Sequence, residues 1–345
     1  MSSCFRRSAW LVLALVCGVD TSAFAQDKPA VVVTPGSEQL YRAAIQRFAD
    51  VSAAPSAQRT DSFRQALEAA LEYSGVFKSL DPKAFLGPVA TETLEGGPPV
   101  ICSDWTQIGA DALVEGEIKD EGGSLRIAFR VWDTVRCRDL VRRRYTQSAG
   151  ADPAPIARRI ADDIVEAFVG VRGVSGTEIA FVSDRGGNKE IFVMSADGSA
   201  ARAATANRSI INQFPSWSPD GDGIVYTSYR TANRPYLYVT GRGKHKPGRL
   251  FARESRHQYR GVFSPVGSLL AVVMSTGGSS DLFTARPGGG GLKRLTNSRS
   301  IEVSPSWSPD GKRLAYVSDR TGAPQVYVMN SDGSGSRRLT FDGSY

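Results

Sequence analysis

The side chains that most often perform catalysis or bind metals are scarce in this chain. Its 345 residues include two histidines, His245 and His257, and four cysteines. A zinc or histidine-built metal centre needs several such ligands held together. No G-x-S-x-G segment of a serine hydrolase follows the repeats described below, and no carboxylate pair stands out. The residues therefore give no positive evidence for catalysis, and we expect no enzyme activity, cofactor or metal site.

Residues 1–25 have the layout of a secretory signal peptide. Arg6 and Arg7 precede an apolar run, and a small-x-small cleavage site ends at Ala25. The run is too short to span a bilayer, and no second long apolar run follows it. We therefore expect export, cleavage near Ala25 and a mature chain that does not span the membrane.

Cleavage at that point leaves two cysteines, Cys102 and Cys137. An even pair in an oxidising compartment allows a disulfide, although the sequence does not show whether the two Cα atoms lie close enough. Without C-x-x-C spacing, such a bond is expected to be a structural staple and not a redox site.

Charge is distributed unevenly along the mature chain. Residues 26–174 carry 18 Lys and Arg against 21 Asp and Glu, whereas residues 175–345 carry 22 against 13. A basic surface suits nucleic acid or an acidic protein. Because an exported protein seldom meets nucleic acid, an acidic protein partner or an anionic envelope component is favoured.

An internal repeat of about 45 residues defines the second half. The segment P-S-W-S-P-D-G occurs at 215–221 and at 305–311, with a degenerate copy around Phe263. Its Ser-Pro-Asp-Gly sequence is typical of a tight turn. Four short strands per unit at this period predict the blades of a β-propeller; a β-sandwich is the alternative, but sandwiches do not repeat turn sequences so closely.

Repeated residues within these units are interpreted as structural. Trp217 and Trp307 occupy equivalent places where blade packing needs a large aromatic. The repeated pairs Asp184-Arg185 and Asp319-Arg320 lie in turns. Functional residues are expected instead among unrepeated features, of which the charged segment 253–260 is the clearest.

The first half predicts a separate α/β domain. Helices are expected over Ser37–Asp50, residues 60–73 and residues 156–169, from apolar residues at helical spacing. Strands are expected over 112–118, 125–132 and 140–145, the first two joined by a Gly122-Gly123 turn. The predicted domains are therefore 1–25 (signal peptide), 26–172 (α/β) and 173–345 (propeller).

In this order the segments resemble the TolB family of the bacterial Tol-Pal envelope system. The resemblance rests on residues 104–116 (D-W-T-Q-I-G-A-D-A-L-V-E-G), on the G-V-R-G hinge at 170–173, on E-I-A-F-V-S at 178–183 and on the P-x-W-S-P-D-G units. It covers nearly the whole mature chain. The propeller unit alone also occurs in other families, so the preceding α/β domain makes the resemblance specific.

The resemblance implies a monomeric periplasmic adaptor with a six-bladed propeller. Such a protein binds Pal, the peptidoglycan-associated lipoprotein, through the propeller mouth and TolA through its N-terminal arm, supporting outer-membrane integrity and constriction at division. The family's contact positions match the pair Arg256 and His257, the loop residues Glu302, Val303 and Ser304, and the arm residues Gln26, Asp27 and Lys28. Ser304 stands where the family often has an acidic residue.

Strand counting predicts an incomplete propeller. From Glu178 the pattern gives three strands in the first unit and four in each of the next three. A six-bladed ring requires about nine more, so we expect a fragment; a four-bladed ring is the alternative. Two other functions stay open, a propeller attached to a C-terminal hydrolase and a glycan-binding propeller with Tyr259 as its exposed aromatic.

Overall fold

The computed structural model describes residues 40–87, 94, 100–206, 210–241, 247–251, 254 and 256–342, with the backbone alone at Thr276. The signal peptide, the N-terminal arm with Gln26, Asp27 and Lys28, and Arg253 lie outside the described residues. The described chain forms an α/β region followed by a series of small antiparallel sheets, which confirms the predicted fold class.

A mixed sheet organises the α/β region. Its strands are β1 (Tyr41–Ile45), β2 (Ala49–Asp50), β3 (Phe77–Ser79), β4 (Ala112–Asp120), β5 (Ser124–Asp133) and β6 (Arg138–Ser148). They lie in the order β3-β1-β4-β5-β6, with β2 also beside β4. The β4-β5-β6 meander is antiparallel, and Gly122 and Gly123 turn with positive φ between its first two strands as predicted.

The predicted helix over Ser37–Asp50 is wrong for the residues that the structure describes. Residues Tyr41–Ile45 form β1, which is parallel to both β3 and β4. Ala43, Ala44 and Ile45 are all buried, because helices or loops cover both faces of this strand. A strand buried on two faces has a continuous apolar run, which periodicity alone does not separate from a helix.

Helices cover one face of the sheet. These are α1 (Ala57–Tyr73) and α3 (Ala154–Val169), and both match the predicted helices at 60–73 and 156–169. Ser56 caps α1 by accepting a hydrogen bond from the Arg59 N–H, and Gly170 ends α3 in the left-handed conformation. Their apolar sides pack on the sheet to form the largest described core cluster.

A disulfide secures the opposite face. The short helix α2 (Cys102–Gln107) packs there through Trp105, and Cys102 is bonded to Cys137 in the turn between β5 and β6, with the Cα atoms 5.7 Å apart. The bond closes a loop with a sequence separation of 35 residues. No described helix has the length and apolar character needed to cross a membrane.

The remaining strands form four propeller sheets. The first contains β7 (Glu178–Ser183), β8 (Glu190–Ser195) and β9 (Arg202–Ala203). The second contains β10 (Asn212–Trp217), β11 (Ile224–Thr231), β12 (Arg234–Val239) and β13 (Gly248–Arg249). The third contains β14 (His257–Phe263), β15 (Leu270–Thr276), β16 (Ser279–Ala285) and β17 (Lys293–Arg294). The fourth contains β18 (Glu302–Trp307), β19 (Arg313–Ser318), β20 (Gln325–Asn330) and β21 (Arg337–Arg338). This matches the predicted three strands followed by three sets of four.

The repeated turns have the same backbone geometry in each full sheet. Gly221, Gly267 and Gly311 all have positive φ, and each donates its N–H to the carbonyl of the serine three residues earlier. Trp307 lies against the core between sheets and donates its indole N–H to the Val262 carbonyl at 2.9 Å. The contacts of Trp307 agree with its interpretation as a structural residue.

Helix α3 also joins the α/β region to the first propeller sheet. The buried Asp162 carboxylate accepts the N–H groups of Ser175 and Gly176 at 2.7 and 2.8 Å. Arg158 pairs with Asp197 at 2.7 Å in the turn after β8. The Asp162 contacts hold the segment that enters β7 against the helix, and the Arg158–Asp197 pair holds the turn after β8 there.

Candidate functional site

The inner strands of the second, third and fourth sheets each contain a bulge at the same position. The register shifts after Gln213, Tyr259 and Val303. The residues that follow, Phe214, Arg260 and Ser304, have φ values of 55°, 33° and 56°. Left-handed backbone at residues other than glycine or asparagine is uncommon and often marks functional sites. A bulge also re-aims the side chain that it carries.

A cavity of about 380 Å³ lies where these bulges meet. It is bounded by the beginnings of β14 and β18, by the end of β15 and by the turn leading into β16. Its wall is mainly apolar, with Arg260 as its charged side chain. The lining residues are Phe214, Tyr259, Arg260, Val273, Ser275, Gly278, Ser279, Ser280, Ile301, Val303 and Ser304.

Two exposed apolar side chains distinguish this cavity from the packed core. Phe214 is 42% exposed and Ile301 is 49% exposed. Large apolar side chains left accessible beside a concave surface are typical of protein-interaction sites. The arrangement suits the insertion of an apolar side chain from a partner, while Arg260 offers a charged contact nearby.

The predicted pair Arg256 and His257 lies beside the cavity but does not line it. Arg256 donates two hydrogen bonds to Glu254, at 2.6 and 2.9 Å, and its guanidinium lies 4.6 Å from the Phe283 ring centroid. The hydrogen bond to the Glu254 carboxylate raises the pKa of Arg256, so the side chain stays cationic. His257 makes an edge contact with Tyr259, which lines the cavity.

The predicted loop residues separate into two environments. Val303 and Ser304 line the cavity. Glu302 is completely buried, and its carboxylate accepts hydrogen bonds from Arg320 at 2.5 Å and from Ser298 at 3.1 Å. The structure therefore does not present the Glu302 carboxylate at the surface of the cavity, in contrast to the contact that the resemblance implies.

Phe214 and Ile301 were not predicted as site residues, and Arg260 was included only within the charged segment 253–260. The repeat contains a signal for Phe214 and Arg260. Phe214, Arg260 and Ser304 are equivalent in the repeat, directly before Pro215, Gly261 and Pro305. A position that varies inside an otherwise repeated frame indicates a residue that is not required for packing. The positive φ at this position was visible only in the structure.

The described residues contain no group of three or more His, Cys, Asp or Glu side chains placed to hold a metal ion. The site described above is built from apolar, hydroxyl and guanidinium groups. Those groups are suited to binding a protein surface, with no nucleophile and base paired among the cavity's described lining residues.

Two family models match the chain. Residues 29–140 match the TolB amino-terminal domain and residues 165–345 match the TolB beta propeller domain. The two matches have the order that the sequence predicted.

Relatives with known names agree with these models. The chain is 36% identical over 304 residues to the Tol-Pal system protein TolB of Anaeromyxobacter dehalogenans, covering 87% of this chain and 67% of that protein. It is 32% identical over 289 residues to the Tol-Pal system protein TolB of Desulfosudis oleivorans, covering 84% of this chain and 64% of that protein. The chain thus spans about two thirds of these relatives' length.

A solved structure supports the fold. The crystal structure of TolB from Acinetobacter baumannii superposes with a TM-score of 0.68 at 23% sequence identity. The match covers 89% of this chain and 73% of that one.

Proposed function

The chain belongs to the TolB family of the Tol-Pal system, and from this premise we propose that it is a periplasmic adaptor. It binds Pal at the cavity between the inner propeller strands and TolA through the N-terminal arm. By these contacts it supports outer-membrane integrity and constriction during cell division. It acts by binding and not by turnover.

The observation that carries the proposal is the apolar cavity at the bulged inner strands. Phe214 and Ile301 are each more than one third exposed there, although most large apolar side chains of the propeller sheets are buried. Burying such exposed apolar side chains on association is favourable, by roughly 25 cal/mol for each Å² removed from water. Aromatic residues near the centre of an interface often contribute most to its affinity.

Charge supports an acidic partner surface. The propeller part of the chain carries 22 Lys and Arg against 13 Asp and Glu, and Arg260 lies in the cavity wall. Complementary charge accelerates association and fixes orientation more than it adds affinity. We therefore expect the rate of Pal association to fall as salt is raised.

The test is a calorimetric titration of the purified chain with the periplasmic domain of Pal from the same source. Phe214→Ala is expected to weaken binding about tenfold, since it removes a central apolar contact. Arg260→Glu is expected to weaken binding because the reversed charge repels an acidic partner surface. His257→Ala is expected to have a smaller effect, because that ring does not line the cavity and contacts the lining residue Tyr259.

Val135→Ala provides the matched control. Val135 is 68% exposed but lies in the turn between β5 and β6, so this variant should bind Pal like the parent chain. Saturable binding that Phe214→Ala and Arg260→Glu leave unchanged would place the Pal contact elsewhere. An absence of binding in the parent chain would reject the adaptor proposal.

The same titration with the periplasmic domain of TolA tests the arm. Removal of residues 26–28 (Gln26, Asp27 and Lys28) should abolish TolA binding while leaving Pal binding intact. Loss of both Pal and TolA binding in this variant would contradict the proposal that the two partners contact separate regions.

A further inference from the structure

Strand β6 forms an open edge of the α/β sheet. It is 11 residues long and pairs with β5 alone among the described residues. Long edge strands present unpaired N–H and C=O groups and can accept an additional strand. This edge lies in the α/β region and is separate from the propeller cavity.

The direction of its backbone groups follows from one hydrogen bond. The Ala149 N–H donates to the Gly123 carbonyl at 2.9 Å, just beyond the end of β6. Because N–H and C=O groups alternate in direction along an antiparallel strand, those of Arg143, Tyr145 and Gln147 point toward β5. The groups of Arg142, Arg144 and Thr146 point away from it. Within the part of the chain that the structure describes, these outward backbone groups have no hydrogen-bond partner.

The side chains of the same residues lie on the face of the sheet opposite α1 and α3. Tyr145 and Val141 pack with the helix-side core, so by the alternation of a strand Arg142, Arg144 and Thr146 project from the other face. All three are exposed. Arg142 and Arg144 therefore stand side by side, about 7 Å apart along the strand, next to the open edge.

The surroundings of these arginines leave room for a ligand. A cleft of about 230 Å³ lies beside them, with Arg130, Ala128 and Glu117 among its lining residues. Arg130 is already paired with Glu115 at 2.7 Å. Arg142 pairs with Asp139 but keeps 64% of its side chain exposed, and Arg144 has no ion pair among the described residues.

We propose that β6 binds an extended acidic segment of another protein, which joins the sheet as a further strand. The outward N–H and C=O groups of Arg142, Arg144 and Thr146 would pair with the backbone of that segment. Carboxylates at alternate positions of the segment would lie beside the Arg142 and Arg144 guanidinium groups, where charge-assisted hydrogen bonds form.

The same charges disfavour a second copy of this chain as the partner. Two β6 edges brought together would place arginines of both copies against each other, and like charges on neighbouring strands are destabilising. Charged residues on edge strands commonly prevent self-association in this way. An acidic segment relieves that repulsion, which is why its chemistry fits this edge.

The experiment uses the full chain and a fluorescein-labelled peptide in which glutamate alternates with threonine. Fluorescence anisotropy should show saturable binding. The double variant Arg142→Glu/Arg144→Glu should weaken it by about tenfold or more. Arg313→Glu/Arg337→Glu is the matched control, because it reverses two exposed arginines on propeller strands and should leave peptide binding unchanged.

Backbone pairing is tested separately from charge. Thr146→Pro removes an outward N–H without touching the ladder to β5 and should also abolish binding. Circular dichroism of each variant checks the fold. In the parent chain, hydrogen exchange should show that the Arg142 and Arg144 amides gain protection when the peptide binds.

Three results would overturn the proposal. The first is an absence of peptide binding. The second is peptide binding without amide protection, which would indicate charge attraction alone. The third is a chain that does not bind the peptide but binds phosphatidylglycerol vesicles, with vesicle binding lost in the Arg142→Glu/Arg144→Glu variant. This result would indicate that the arginines bind a membrane surface. Pal binding should be unaffected throughout, so these outcomes are independent of the proposed adaptor function.

Discussion

Asp163 in the α/β region and Glu302 in the fourth propeller sheet are both carboxylates whose side chains are 0% exposed, and both face arginines. Their surroundings differ. Asp163 accepts hydrogen bonds from Arg143 and Tyr145. It also forms an ion pair with Arg172 at 3.3 Å. It thereby joins helix α3 to strand β6 and to the segment after the helix. Burial and the hydrogen bond to Asp163 raise the pKa of Tyr145, which keeps that hydroxyl a donor.

Glu302 belongs to a contact that recurs between propeller sheets. Its backbone N–H and carbonyl both bond to the Ser280 hydroxyl, at 3.1 Å each, in the preceding sheet. At the equivalent place, Gln258 accepts the Leu237 N–H at 3.1 Å and Asn212 donates to Glu190 at 2.8 Å. Each inner strand therefore begins with a buried polar residue that bonds to the sheet before it.

The difference shows two ways of fixing a fold. The Asp163 contact occurs once in the α/β region. No equivalent contact there can compensate if Asp163 is replaced. The propeller sheets use one position repeatedly, through the side chains of Asn212 and Gln258 and through the backbone of Glu302. The repeated position serves assembly in all three sheets, whereas the bulge two residues later carries Phe214, Arg260 or Ser304 at the cavity.

The largest effect is expected for Asp163→Ala. Removing this carboxylate takes away the hydrogen-bond acceptor of Arg143 and Tyr145 and the ion-pair partner of Arg172, although Arg143 keeps a longer pair with Glu166 at 3.9 Å. Three contacts are lost together, but both arginines are about half exposed, so the cost should lie at the low end of the range for buried pairs, about 3 kcal/mol. The free energy of unfolding of the α/β region should fall by roughly 3 kcal/mol in urea titrations followed by tryptophan fluorescence. Asp163→Asn keeps the volume and should cost less. A fall well below 1 kcal/mol would contradict the role of this contact.

A smaller loss is expected for Glu302→Ala. Arg320 keeps its stacking on Tyr327, at 4.5 Å from the ring centroid, and the backbone contact to Ser280 stays. We therefore expect a fall of about 2 kcal/mol, below the range for fully buried pairs. Gln258→Ala, at the equivalent position, should cost about 1 kcal/mol, as for one buried hydrogen bond. Equal losses at the two positions would indicate that the Glu302–Arg320 ion pair contributes no more than one neutral hydrogen bond.

The smallest effect concerns the repeated turns. The Ser308 hydroxyl and the Lys312 N–H hydrogen-bond the Asp310 carboxylate and lower its pKa, and Ser334 lowers that of Asp332 in the same way. A lowered folded-state pKa stabilises the fold above the unfolded pKa, and this contribution is lost as pH falls through the folded pKa. Carboxyl ¹³C titrations should show Ser308→Ala raising the pKa of Asp310 while Asp332 is unchanged. An unchanged Asp310 pKa in this variant would show that the Ser308 hydroxyl does not lower it.

Much of the fold could be predicted because its signals are local. The Ser-Pro-Asp-Gly turns set the spacing of the propeller strands, and they form with the expected geometry at Gly221 and Gly311. Helices α1 and α3 were predicted because each has one apolar side. Strand β1 was mistaken for a helix, since burial of both its faces removed the alternation that identifies a surface strand.

The candidate site was less accessible to sequence reasoning. The resemblance implied partner contacts at Val303 and Ser304, which line the cavity, and at Glu302, which is buried against Ser298 and Arg320. The sequence shows a glutamate at this position but does not show whether its carboxylate faces solvent or a buried arginine. Phe214 was hidden for the opposite reason, because an aromatic residue in a strand is ordinarily part of a core.

The sequence by itself determined the order of the two regions, the repeat and the turn chemistry, because these depend on residues that are neighbours along the chain. Tertiary structure alone decided which residues meet at the cavity, which acids are buried and that the arginines of β6 lie on an open edge. Those properties depend on the register and bulges of strands separated by about 45 residues, and a shift of one residue in a strand exchanges its two faces.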